Sequence, residues 1–152
     1  MVDVNVLRHR LQKLSEYLDI LRTTQQYSRS EFVEDPHLYG SAERFLQLSV
    51  EAINDMASHV VVDENLGAVE RARDLPDIFE SEGLIGEEMR EQWTDMIGFR
   101  NALVHDYLDI DRNIVYEAVQ YRLDEIERLR SLYSLSFFEK HTTSTERVLS
   151  LL

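Results

Sequence analysis

The sequence predicts an all-α protein, an up-and-down bundle of four to five helices. Three observations carry that prediction. Five segments with apolar residues three and four apart cover most of the chain. Alternating strand-like runs joined by two-residue hairpin turns are nearly absent. At 152 residues the chain has room for one domain, read here as residues 1–140, followed by a tail over 141–152 that is either docked or mobile.

The first helix is expected over about residues 4–27, where Leu7, Leu11, Leu14, Leu18 and Leu21 form a seam at spacings of four and three. Residues 28–40 contain Asp35-Pro36 and Gly40 and read as a loop or short turn, because Pro disfavours helical backbone in the residue before it. A second helix is expected from Ser41, whose hydroxyl caps a first turn, with Phe45, Ser49, Ala52, Ile53, Met56 and Val60 as its stripe. A shorter stretch over about 68–82 carries Pro76 near its middle and is expected to split there. Gly83 suits a helix stop, and Gly86 precedes the acidic first turn Glu87-Glu88 of a fourth helix. Asp111 then caps one long last helix running to about residue 138.

Composition narrows the function. Asp and Glu number 29 against 16 Lys and Arg, a net charge of −13, so most of the surface repels phosphate and any RNA site is local; no DNA binding is expected. Of the cations 14 are Arg and only Lys13 and Lys140 are lysine, which suits planar, bidentate recognition. The chain has no Cys, and no apolar run approaches the roughly 20 residues of a membrane helix, so a cytoplasmic protein is expected. His9, His37, His59 and His141 form no metal-ligand spacing, and no phosphate-cradling Gly-rich loop occurs, so neither metal nor cofactor is assigned. Arg8, His9, Arg10 and Lys13 form a short basic patch on the first helix, either a contact surface or a solvated face.

The informative segment is MREQWTDMIGFRNALVHDY, residues 89–107. Its apolar stripe, Met89, Trp93, Met96 and Leu103, is interrupted by Arg100, a guanidinium that must be paired or must face a cleft or an interface. Beside it run Thr94, Gly98, Asn101 and His105, all small or polar, at spacings of four, three and four. Arg100 and His105, five residues apart, lie roughly 140° apart on an ideal helix and meet only if the helix ends or distorts between them. Asn101, one turn before His105, is placed to orient its ring. Read alone, Arg100 is more simply a structural arginine paired with a carboxylate, His105 a helix-end cap and Tyr107 an ordinary packing residue.

Arg100, Asn101, His105 and Tyr107 together resemble the R-x4-6-H signature of the HEPN superfamily, with the R-x4-H-x-Y run of the HepT toxins. The resemblance covers about residues 4–138. It implies a homodimer whose two motif helices meet at a cleft holding Arg100 and His105 from both copies. It further implies a metal-independent endoribonuclease toxin of a type VII-like toxin–antitoxin system, in which the ribose 2′-hydroxyl attacks the adjacent phosphate. In that reading His105 is acid or base, Arg100 clamps the phosphate and Asn101 supports. Tyr107 is then the residue to which a minimal nucleotidyltransferase antitoxin adds AMP. The alternative from a different class is a non-catalytic HEPN module that binds a nucleotide or a partner nucleotidyltransferase, which the acidic surface suits.

Overall fold

A computed structural model describes residues 3–106 and 109–141, with side chains as far as residue 133. Among the described residues there are seven helices and no strand: α1 (Val4–Thr24), α2 (Arg29–Glu34), α3 (Pro36–Asp63), α4 (Asp74–Ser81), α5 (Glu87–His105), α6 (Arg112–Tyr121) and α7 (Leu123–His141). Residues 142–152 of the expected tail lie outside the described residues.

The pairing of side chains between helices gives the topology. Arg10 meets Asp55 while Tyr17 meets Phe45, so α1 and α3 run antiparallel. Arg100 meets Glu51 while Trp93 meets Asn54, which sets α3 against α5 in the same way. Arg128 reaches Gln92 while Arg122 reaches Asp95, reversing direction again between α5 and α7. α1, α3, α5 and α7 therefore form an up-and-down bundle, and α3 at its centre touches every other helix. The leucine seam is core: Leu7, Leu14, Leu18 and Leu21 are buried against α3, with Leu11 packed at the margin. Trp93 is fully buried and takes the Phe79 ring edge-on, with centroids 5.1 Å apart.

Five expectations are corrected. Residues 28–40 are helical for most of their length, because Ser28 and Glu31 form a reciprocal capping box (3.2 Å each way) that starts α2. The next helix begins at Pro36 rather than Ser41. Asp35 accepts from the His37 amide (2.9 Å), and Pro at the first helical position gives up an N–H that has no partner there anyway. Pro76 does not divide a helix; it lies in the first turn of α4, and the residues before Asp74 are turn. The long last helix is two. Val119 O, the acceptor that a continuous helix would give to the Leu123 amide, takes the Gln25 side-chain amide instead (2.9 Å), and the chain bends at Arg122 (φ −116°, ψ 1°). α1 also stops at Thr24, three residues early.

Two helix ends share one geometry. After α3, Asn65 (φ 53°) donates to Val62 O and Leu66 to Val61 O; after α4, Gly83 (φ 72°) donates to Glu80 O and Leu84 to Phe79 O. Both are left-handed caps that satisfy the last carbonyls and send the chain back across the bundle.

Candidate functional site

α5 starts at Gly86, with Glu87 and Glu88 in its first turn, and runs unbroken to His105. Trp93, Met96, Ile97 and Leu103 are its buried face, and Arg100 falls within that stripe. The interruption is resolved by α3. Arg100 Nε and Nη2 both donate to Glu51 Oε1, at 3.0 and 2.6 Å. Gln47, one turn earlier on α3, donates to the same oxygen at 3.0 Å. Burial pushes the Glu51 carboxyl up, but the hydrogen bonds from Gln47 and Arg100, with the charges of Arg100 and Arg44, outweigh it and hold the group below the ordinary glutamate value.

Arg100 Nη1 donates to Asn101 Oδ1 at 3.1 Å. Three of the five guanidinium N–H groups are thus engaged, and one on each of Nη1 and Nη2 is left. Guanidinium N–H groups of this kind are donors that a phosphate accepts from. Arg100 is both paired and facing a cleft. A cleft of about 370 Å³ opens beside it, walled by Glu51, Asn54, Asp55 and Ser58 of α3, by Asn101, and by the segment leading into α4.

His105 occupies the last turn of α5, is exposed, and among the described residues has no hydrogen-bond or ion-pair partner. Because the helix neither ends nor distorts before it, Arg100 and His105 stay on different faces. The Asn101 side chain, expected against the His105 ring, bonds Arg100 instead. Tyr107 lies outside the described residues. Thr94 bonds back to Arg90 O, and a methyl group built on Gly98 would meet only the tip of Arg73, at 3.1 Å. Among the described residues no three His, Asp or Glu side chains cluster as a metal would require, and no helix is long and apolar enough to cross a membrane.

Sequence reading missed Glu51 and Gln47. Their signal is present, since Arg44, Gln47 and Glu51 share one face of α3 at spacings of three and four. Nothing along the chain ties that face to residue 100, which is why only the fold reveals it.

A helical bundle presenting Arg-Asn and, five residues after the Arg, a solvent-facing His at the end of its third long helix is of the HEPN class. The family model described as "Ribonuclease HepT-like" matches residues 8–131. A curated relative, the "mRNA nuclease HepT" of Shewanella oneidensis, is 33% identical over 110 residues, 72% of this chain and 83% of the relative. The "tRNA nuclease HepT" of Aphanizomenon flos-aquae is 27% identical over 120 residues, 79% of this chain and 82% of that protein. Among solved structures, the tri-AMPylated HEPN toxin of Shewanella oneidensis in complex with its MNT antitoxin superposes with a TM-score of 0.79 at 25% identity, covering 88% of this chain and 98% of that one. The chain belongs to the ribonuclease HepT-like family.

Proposed function

We propose that this chain is the endoribonuclease toxin of a toxin–antitoxin pair and cleaves RNA without a metal, at a site completed by two copies. The observation that carries this reading is the unbroken run of α5 from Glu87 to His105. It leaves Arg100, with two N–H groups unused among the described residues, and His105, without a partner among them, on different faces of one chain, so that facing helices of two copies would bring together what one copy separates.

In such a site the ribose 2′-oxygen attacks the adjacent phosphorus and gives its proton to one His105. Charge growing on the phosphorane oxygens is met by the unused N–H groups of Arg100. The bond from phosphorus to the 5′-oxygen breaks, and that oxygen takes a proton from the other His105. The products are a 2′,3′-cyclic phosphate and a 5′-hydroxyl, with no water consumed. Glu51 and Asn101 fix the Arg100 plane and act as positioning residues. Neutralisation would follow when a partner nucleotidyltransferase transfers AMP from ATP to the Tyr107 hydroxyl, releasing pyrophosphate. A bulky anion two residues from His105 repels the RNA backbone.

The test is cleavage of a mixed RNA pool in EDTA by wild type, Arg100→Ala and His105→Ala, after an intact-mass check that Tyr107 carries no AMP. Wild type should leave cyclic phosphate ends, and each variant should lose at least roughly a hundredfold in rate. No cleavage by unmodified wild type would favour the non-catalytic binding module, the reading that the net charge of −13 suits.

A further inference from the structure

The cleft beside Arg100 combines hydrogen-bonding side chains with an apolar wall, which is what a base needs. Glu51, Asp55 and Glu70 border it beside Arg71 and Arg100, Glu51 being paired with Arg100 and Asp55 with Arg10, and carboxylates accept readily from base N–H groups. Val69, Ala72 and Leu75 supply an apolar wall against which a flat ring can lie. Two amides have their orientation fixed from behind. The indole of the fully buried Trp93 donates to Asn54 Oδ1 at 2.9 Å, and Arg100 Nη1 donates to Asn101 Oδ1 at 3.1 Å. With both oxygens engaged, both Nδ2 groups are left as donors, and neither has an acceptor among the described residues.

We propose that this cleft of about 370 Å³ holds a nucleobase next to the scissile phosphate, and that Asn54 is a specificity-determining residue reading an acceptor on that base. The proposal rests on the ribonuclease reading for its place in the reaction, and Arg100 is the hinge of the two. Its unused N–H groups hold the phosphate while its Nη1 bond to Asn101 fixes one wall of the base site. Single-stranded RNA is read in this way, with an unstacked base lying on a side-chain wall and its edge hydrogen-bonded.

Asn54→Asp is the discriminating change. It keeps an acceptor for the Trp93 indole and turns the free donor into an acceptor. Fragment ends from a randomised RNA should show that wild type prefers one base beside the cut, and that Asn54→Asp lowers this preference roughly tenfold relative to the other bases. In a second arm the four nucleoside 3′-monophosphates are titrated calorimetrically into both proteins. One should bind more tightly to wild type and lose about tenfold in the variant. RNA cleavage with no base preference, or with a preference unmoved by Asn54→Asp, overturns the base site and leaves the nuclease reading standing. Variant-sensitive mononucleotide binding without RNA cleavage overturns the nuclease reading and leaves the base site standing. If Asn54→Asp does not fold, Ser58→Leu, which fills the cleft from the same face of α3, must abolish mononucleotide preference, and unchanged binding refutes the proposal.

Discussion

The Glu51 carboxyl sits between opposed influences, with burial raising its affinity for a proton and the N–H groups of Gln47 and Arg100 lowering it further than burial raises it. A carboxyl whose folded value lies below its unfolded value stabilises the fold above the unfolded value and loses that contribution as pH falls through the folded one. Glu51→Gln should therefore melt below wild type at neutral pH, and the gap should close as the buffer is taken well below the ordinary glutamate value of 4.5. Parallel thermal melts from pH 7 to pH 3 check this; a gap that widened on acidification would contradict the assignment. Both side chains of the pair are about one-third exposed, so its main effect is to hold the guanidinium still rather than to stabilise the fold. The same variant should thus lose roughly tenfold in cleavage rate at pH 7, where the fold is intact. Arg100, Asn101 and His105 were legible from their own spacing. Glu51 was not, because a contact spanning 49 residues leaves no local trace.

The helices themselves were read from periodicity, and the errors fall where periodicity is silent. Val115, Val119, Leu123, Ile126 and Leu129 keep one helical phase across the break at Arg122, so the pattern is that of a single helix. The break comes from a side chain of the α1 terminus, Gln25, taking a backbone acceptor. Proline misled twice in the same manner. At Pro36 and Pro76 it opens a helix, and a reading that treats proline only as a breaker places the boundary on the wrong side. Glycine divides into two cases. Gly83 holds φ 72°, so Gly83→Ala should destabilise by about 1 kcal/mol in urea unfolding. Gly98 is helical, and the methyl of Gly98→Ala meets only the end of an exposed arginine that is free to swing aside. The same unfolding assay should show that change to stabilise by about 0.5 kcal/mol, since alanine is the better helix former.

At the scale of the molecule, acidity and RNA recognition are reconciled by geography. The net charge of −13 belongs to a chain in which Arg10, Arg22, Arg29, Arg71, Arg90 and Arg122 are each engaged by carboxylates, and Arg100, itself paired with Glu51, still keeps two N–H groups unused among the described residues. Composition warned against non-specific binding and left room for a local site, but it could not say that carboxylates would line the cleft itself. The unbroken run of α5 to His105 carries a genetic consequence. On the two-copy reading, a chain bearing His105→Ala still pairs with an intact chain and withdraws it into an assembly with a damaged proton relay. The defect should therefore be dominant. Cells expressing the wild-type chain without its antitoxin should regain growth when His105→Ala is co-expressed in excess, whereas a site complete within each chain would leave them arrested.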